Sequence, residues 1–381
     1  MIAKRAQEMP PFLVMDVLER AQILEKQGEN IIHLEVGEPD FATPSCIKEA
    51  AKRALKAGKT HYTHSLGIFE LRETIAEHYQ QKYGVAISPE NIIITAGTSP
   101  AMFLIFSSLL EPGDEIILPN PHYACYPNFI RFLGGKPIFI PVREENNFIY
   151  DVDQIKKAIS PRTKGIIVNS PANPTGMLTP GEIMQAIAEL GISIISDEIY
   201  HQLVYEEVEH SALEFTDNAF VLNGFSKAYA MTGWRLGYLI VPSSFVRPMQ
   251  KIQQNFFICA PSFAQYAALA ALKKAQPEVL KMRQIYNQRR LYLYKALKEL
   301  GFSLKTPPQG AFYFFINVKH LSQDSYTLAF DILEKIKVAV TPGIDFGSEG
   351  EGFLRISYAN SLKNIKEGLN RLKNYVNQYG G

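Results

Sequence analysis

Short apolar runs recur along the chain and alternate with stretches of helical spacing. The runs cover residues 92–95, 115–118, 136–140, 165–168, 192–195, 219–222 and 238–241. Runs of this length, bounded by turn residues, are typical of strands that are buried on both faces of a sheet. Strands that alternate with helices pair in parallel, because each helix carries the chain back to the same end of the sheet. The pattern therefore predicts an α/β fold with a parallel sheet.

The segment between the last two runs carries a lysine in unusual surroundings. Lys227 has no carboxylate within four residues, and the segment holds three glycines and Trp234, the only tryptophan of the chain. Burial of such a lysine lowers its pKa, and a neutral amine can attack a carbonyl to form a Schiff base. Arg235 is a fixed cation of the kind that holds a phosphate or carboxylate. Taken alone, Lys227 would be read as an ordinary solvated lysine.

The residues around Lys227 resemble a family signature. Ser226-Lys227, followed by Gly-Trp-Arg-Leu-Gly at 233–237, resembles the fold-type-I aminotransferases of class I and II, which use pyridoxal phosphate. In that family Ser-Lys and then Gly-x-Arg-x-Gly mark the Schiff-base lysine. The resemblance implies that Lys227 binds the cofactor covalently and moves the substrate proton. It also implies that Ser226 and Arg235 contact the cofactor phosphate.

The resemblance extends over nearly the whole chain and implies an architecture. A large domain at 45–285 would hold a mostly parallel seven-stranded sheet with helices on both faces. A smaller α/β domain would combine 1–44 with 286–381. The site would lie between the domains and would need a homodimer. In the family a tyrosine crosses from the neighbouring subunit to the cofactor phosphate, which implies this role for Tyr62.

A glycine turn follows the run at 92–95 and opens a helix. We predict Ser99 as the residue that caps this helix, with Pro100 at the first helical position. Free N–H groups at such a helix start form an anion site, although capping turns of this kind are common. The resemblance assigns Gly97, Thr98 and Ser99 to a cup for the cofactor phosphate.

Three further cofactor contacts follow strands. By resemblance, Tyr123 stacks on the pyridine ring, and Asn173, in an Asn-Pro-Thr-Gly turn, hydrogen-bonds the 3′ oxygen of the cofactor together with Tyr200. Asp197 lies two residues after the run at 192–195, at the end of a strand where parallel sheets bind ligands. A buried carboxylate needs a cation, and a protonated pyridine nitrogen would supply it. We therefore choose Asp197 over its neighbour Glu198.

Two residues are candidates for the substrate carboxylate. Arg355 lies inside the apolar run 353–358, where a charge is costly unless it meets an anion. That anion could belong to a structural salt bridge, but the family uses this arginine as a two-pronged fork for the α-carboxylate. By resemblance Gly37 also approaches that carboxylate, where a side chain would clash, and Asn173 contributes.

Composition excludes several classes of protein. The 381 residues carry a net charge of +1, which argues against a nucleic-acid or acidic-membrane partner. Cys46, Cys125 and Cys259 are far apart and are expected to be reduced. Residues 1–8 have no apolar region typical of a secretory signal, and no run approaches the ~20 residues of a membrane span. We expect a soluble, cytoplasmic protein.

Two local patterns receive simple interpretations. His61 and His64 have no companions at zinc spacing, so no metal is expected. The basic pair Arg289-Arg290 is predicted to lie on a solvated helix face.

The resulting functional hypothesis is transamination. An L-amino acid would give its amino group to a 2-oxo acid such as 2-oxoglutarate. In one aspartate-using branch of the family a lysine begins the helix after the phosphate turn, but this chain has Ser99 there. We therefore expect a broad or neutral donor, such as alanine or an aromatic or aliphatic amino acid. A pyridoxal-phosphate β-lyase is the nearest alternative, and an effector-sensing module of a transcription regulator is a more distant one.

Overall fold

In the computed structural model, which describes residues 2–379, strands occupy all seven of the apolar runs. The strands are β1 Ile32–His33, β2 Ile92–Thr95, β3 Glu115–Asn120, β4 Lys136–Pro141, β5 Thr163–Asn169, β6 Ser193–Asp197, β7 Ala219–Gly224, β8 Gly237–Ile240, β9 Tyr313–Asn317, β10 Val338–Ala339, β11 Thr341–Pro342 and β12 Phe353–Ser357. The helices are α1 Lys4–Gln7, α2 Leu13–Lys26, α3 Ser45–Lys56, α4 Phe69–Tyr83, α5 Thr98–Leu109, α6 Tyr126–Phe132, α7 Val152–Ala158, α8 Gly181–Ala188, α9 Ser243–Phe256, α10 Ser262–Lys274, α11 Gln276–Glu299, α12 Ser325–Ile336 and α13 Leu362–Tyr379.

The main sheet has seven strands in the order β2-β8-β7-β6-β5-β3-β4. All neighbours pair in parallel except β8, which is antiparallel to both β2 and β7. The prediction of a mostly parallel seven-stranded sheet is confirmed. In the register of the sheet, Asn169 lies beside Asp197, and Asp197 lies beside Leu222. The carboxyl ends of β5, β6 and β7 therefore meet at one edge, where we look for the site.

Both faces of this sheet are buried. Two neighbouring residues of β7 show this, since neighbours on a strand point to opposite faces of the sheet. Val221 packs in a core cluster with Leu71 of α4 and Ala267 of α10. The next residue, Leu222, packs in another cluster with Phe106 of α5 and Met249 of α9. Helices thus cover both faces, which is why the strands read as continuous apolar runs rather than as alternating ones.

A second, smaller set of strands involves both ends of the described chain. Strands β11, β12 and β9 form an antiparallel sheet, and β1 pairs in parallel with β10. The N-terminal segment therefore joins the C-terminal part. The division into a unit at 45–285 and a unit from 1–44 and 286–381 stays a prediction, and Met1 and Gly380–Gly381 lie outside the described residues.

The prediction for Arg289 and Arg290 is wrong. Both are buried on α11, at 7% and 1% exposure. Arg289 forms a two-pronged ion pair with Asp40, at 2.7 and 2.9 Å, and Arg290 donates to the carbonyl of Pro308 at 2.7 Å. Each cation is buried because it meets acceptors outside its own helix, which the local sequence does not reveal.

Three features of the described residues bear on other classes of protein. Within 2–379 no helix has both the length and the apolar character of a membrane span. The same residues hold no group of histidines, cysteines and carboxylates arranged to bind a metal. Cys46, Cys125 and Cys259 are free thiols.

Candidate active site

A cavity of about 350 Å³ opens at the carboxyl ends of the central strands. Eleven of the thirteen residues that the sequence singles out line it: Gly37, Thr98, Ser99, Tyr123, Asn173, Asp197, Tyr200, Ser226, Lys227, Arg235 and Arg355. Gly97 lies directly behind the lining, against Arg235. Tyr62 is 80% exposed and does not reach the cavity of its own subunit. Segments far apart in sequence therefore converge at one place.

Lys227 follows β7 in a tight turn and projects into this cavity. Its Nζ donates a hydrogen bond to the carbonyl oxygen of Gly37 at 2.7 Å. Burial lowers the pKa of Lys227 to about 8, and Glu38 partly opposes this effect. The lowered pKa expected from the sequence is confirmed. An amine with this pKa is partly neutral near physiological pH, which is what attack on a carbonyl requires.

Asp197 sits at the end of β6 with 5% exposure. Its carboxylate accepts hydrogen bonds from the Tyr126 hydroxyl at 2.6 Å and from the Ile199 amide at 3.2 Å. Burial raises the pKa of Asp197, because the charged carboxylate is less stable away from water, and a cation placed next to it would favour the ionised form. Tyr126 was not predicted from the sequence. Its spacing of three residues from Tyr123, at the start of α6, was the available signal.

Glu198 faces away from the cavity into a closed polar network. Its Oε1 accepts from Ser196, from Ser211 and from the Ala212 amide, and its Oε2 accepts from Tyr79. Burial raises the pKa of Glu198 to about 7. All of these contacts lie outside the cavity lining. The geometry therefore supports the choice of Asp197 over its neighbour.

The turn before α5 forms a cationic cup. Helix α5 begins at Thr98 with Gly97 as its N-cap residue, so the prediction of Ser99 as the cap is wrong. Gly97 has a φ of 98°, a conformation that favours glycine. A Cβ on Gly97 would lie 2.6 Å from Nη2 of Arg235, so the guanidinium packs against the bare backbone. Free N–H groups, hydroxyls and a guanidinium meet here, a donor set that fits a phosphate.

Arg355 is held by neutral groups. Its Nη1 donates to Oδ1 of Asn173 at 2.9 Å, and its Nη2 donates to the Glu35 carbonyl at 2.5 Å and to Oγ1 of Thr341 at 3.2 Å. Its Nε has no partner within residues 2–379, and none of the salt bridges found there involves Arg355. The alternative of a structural salt bridge is therefore not supported. A buried guanidinium with a spare donor suits an incoming carboxylate.

Tyr313 lies next to Arg355 and was not predicted as a site residue. The guanidinium carbon of Arg355 is 4.4 Å from the centre of its ring. The hydroxyls of Tyr313 and Tyr200 are 2.8 Å apart. A Cβ on Gly37 would lie 2.2 Å from the Tyr313 hydroxyl. Within the chain, Tyr313 thus supplies a reason for glycine at position 37, in addition to the substrate carboxylate invoked from the sequence.

The N-terminal segment provides an apolar wall that was also missed. The cavity is lined there by Phe12, Val14, Met15 and Leu18, which we call the apolar wall. The ring of Phe12 meets that of Tyr123 edge to face, with centroids 6.2 Å apart. No motif in the sequence indicates that the start of helix α2 faces the site.

The class I and II aminotransferase family model matches residues 29–372. The chain belongs to the class I and II aminotransferases. It is 47% identical to a (5-formylfuran-3-yl)methyl phosphate transaminase of Methanocaldococcus jannaschii, over 99% of this chain and 100% of the relative. It is 42% identical to an aspartate aminotransferase of Pyrococcus horikoshii, over 98% and 96%. A Methanococcus jannaschii crystal structure, described as similar in its active site to kynurenine aminotransferases, superposes with a TM-score of 0.92 at 47% identity, covering 99% and 100% of the two chains.

This aminotransferase is therefore a pyridoxal-phosphate-dependent transaminase that acts on amino and oxo acids, and its residues fit that cofactor. The cup at Gly97 and Arg235 suits the phosphate, Lys227 suits the aldehyde, and Asp197 suits the ring nitrogen. When bound, pyridoxal phosphate supplies an electron sink that stabilises negative charge at the substrate α-carbon.

Proposed function

We propose that this aminotransferase takes its amino group from an L-amino acid with a neutral side chain and passes it to a 2-oxo acid such as 2-oxoglutarate. The observation that most directly supports a neutral donor is the apolar wall of the cavity. Among the cavity-lining residues the only cations are Lys227, Arg235 and Arg355, and each already has a role in our assignment. Glu38, an anion, also lines the cavity. A distal carboxylate would be left without a partner there, which costs several kcal/mol.

The proposed roles follow the contacts at the cavity. Lys227 forms the bond to the cofactor and then moves the α-proton, since its pKa of about 8 allows it both to hold and to release a proton. Arg355 binds the substrate α-carboxylate together with Asn173, and Gly37 leaves room for it. Asp197 keeps the ring nitrogen protonated.

The remaining proposed roles concern the cofactor. Tyr200 and Asn173 bind its ring oxygen, Tyr123 covers its ring, and Ser226 joins the phosphate cup formed by Gly97, Thr98, Ser99 and Arg235. Exposure of Tyr62 supports its proposed role in the site of the second subunit of a homodimer. The three free cysteines support a reducing, cytoplasmic location.

An aldehyde is a second candidate acceptor, supported by the 47% identity to a transaminase named for a furan aldehyde phosphate. Such an acceptor lacks an α-carboxylate. With an aldehyde acceptor, the reaction would therefore need Arg355 only in the half-reaction of the amino donor, which does have an α-carboxylate.

Steady-state kinetics with aspartate, alanine, phenylalanine and leucine as donors tests the proposal, with 2-oxoglutarate as acceptor. We expect a neutral donor to have the highest kcat/KM. An aspartate value a hundredfold above all the others would refute the proposal and would mean that a cation reaches the pocket. Release of pyruvate and ammonia from β-chloroalanine, without an oxo acid and faster than any transamination, would favour the β-lyase alternative.

A further inference from the structure

The first turn of α2 has no cap of its own. Its N-cap residue, Phe12, cannot accept a hydrogen bond through its side chain. The carboxylate of Asp345 replaces the missing cap from 332 residues away. Its Oδ1 accepts from the Leu13 amide at 2.9 Å, and its Oδ2 accepts from the Val14 amide at 3.3 Å. A carboxylate at a helix N-terminus also interacts favourably with the helix dipole.

Asp345 belongs to a segment that is itself fixed. Residues 343–346 form a short 3-10 turn after β11. A Cβ on Gly343 would lie 2.0 Å from the Gly350 carbonyl, so the backbone is tightly packed. The Ile344 amide donates to Oγ of Ser325 at 3.1 Å. Asp345 is only 9% exposed. The carboxylate therefore lies on a fixed segment and anchors the first turn of α2.

The same segment touches the substrate-binding side of the site. The ring of Phe346 lies 5.0 Å from the guanidinium carbon of Arg355. The Phe346 carbonyl accepts from the amide of His122, next to Tyr123, at 2.9 Å. The turn thus holds the apolar wall through Asp345 while it packs on the proposed carboxylate fork and on the loop that bears Tyr123.

We propose that Asp345 is a positioning residue that sets donor selectivity by holding the apolar wall against the side chain of the substrate. This inference rests on the proposed preference for neutral donors. Without the two hydrogen bonds, the first turn of α2 would fray, and Phe12 and Met15 would no longer define one side of the cavity. Alanine has no side chain beyond Cβ to contact the wall, whereas phenylalanine and leucine do.

The test compares Asp345→Ala and Asp345→Asn with the wild-type holoenzyme. Asp151→Ala is the matched control, since Asp151 caps α7 by accepting from the amides of Asp153 and Gln154, away from the cavity. The readouts are the ratio of kcat/KM for phenylalanine to that for alanine, and hydrogen exchange of the amides at 14–18.

We expect Asp345→Ala to lower the ratio about tenfold, the scale of a lost helix cap, and to speed exchange at 14–18. Asp345→Asn keeps one acceptor and should retain more of the ratio, while Asp151→Ala should leave the ratio and the exchange at 14–18 unchanged. Equal losses for both donors, an unchanged ratio, or a loss in Asp345→Asn as large as in Asp345→Ala would overturn the proposal. If Asp345→Ala does not fold, Asp345→Asn alone must lower the ratio and speed the exchange. A wild-type preference for aspartate would instead refute the proposed function, and the exchange measurement would still test the anchor.

Discussion

Replacing Arg355 with lysine tests the proposal that Arg355 binds the α-carboxylate, the group that the amino acids and oxo acids have in common. Arg355 holds its position through Asn173, the Glu35 carbonyl and Thr341, and it keeps Nε free. Lysine keeps the charge but cannot present two parallel N–H groups to a carboxylate. A hydrogen bond to a charged group contributes ~1.5–3 kcal/mol. Loss of one such bond predicts a fall in kcat/KM of roughly 10- to 150-fold.

The assay is kcat/KM for each amino acid and each oxo acid, measured in the two half-reactions separately. We expect every carboxylate substrate to lose a similar factor, mainly through KM, and an aldehyde acceptor to lose none in its own half-reaction. Arg290→Lys is the matched control, since Arg290 is also buried but bonds to Pro308 and Asn287 outside the cavity. It should lower the free energy of unfolding and leave all KM values in place. If Arg355→Lys affected only one substrate, Arg355 would contact the side chain of that substrate and not the shared α-carboxylate.

Three further predictions concern single residues. Lys227→Ala should abolish turnover and the Schiff-base absorbance of the cofactor, and a variant that kept both would contradict the assignment. Asp197→Ala should reduce kcat by several orders of magnitude with the fold intact by circular dichroism; activity above a tenth of wild type, a loss under ~1.4 kcal/mol, would make Asp197 structural. The hydrogen bond to Glu35 raises the pKa of His33 from 6.5 to about 9, so its stabilisation is complete below pH 6.5 and is lost as the pH rises through 9. Urea unfolding of wild type and His33→Gln should therefore differ by ~1 kcal/mol more at pH 6 than at pH 9.5, because water screens the partly exposed His33, and a difference independent of pH would refute this reasoning.

The features that could be predicted from the sequence are those that residues close together in the chain determine. The seven strands are runs buried on both faces, so their composition alone marks them. Asp197 ends one of these strands, Gly97 and Lys227 come shortly after the ends of two others, and the topology of the sheet brings these positions to one edge. The start of α5 was misplaced by two residues, from Pro100 to Thr98, because a glycine with positive φ can cap a helix without a side chain.

The parts that were missed depend on contacts between distant segments. Arg289 and Arg290 look like a solvated pair, but acceptors at Asp40 and Pro308 make their burial possible. Tyr313 is one of several aromatic residues in β9 and its surroundings, and only the fold shows that its hydroxyl meets that of Tyr200. No spacing rule connects Arg289 with Asp40 or Tyr200 with Tyr313, and the acceptor of Arg290 lies beyond the end of its own helix.

The apolar wall shows why motif residues alone leave the donor open. Val14, Val17, Ala21 and Leu24 form the buried stripe of α2. Met15, at 44% exposure, looks like an ordinary exposed apolar residue, and single residues of this kind need no explanation. Its place at the site depends on the anchor of α2 at Asp345, which is outside every motif that identified the family. Residues that bind the cofactor and the α-carboxylate serve every substrate alike, so relatives that share them can be named for different substrates. Selectivity must then come from surfaces such as this wall and from whatever fixes their position.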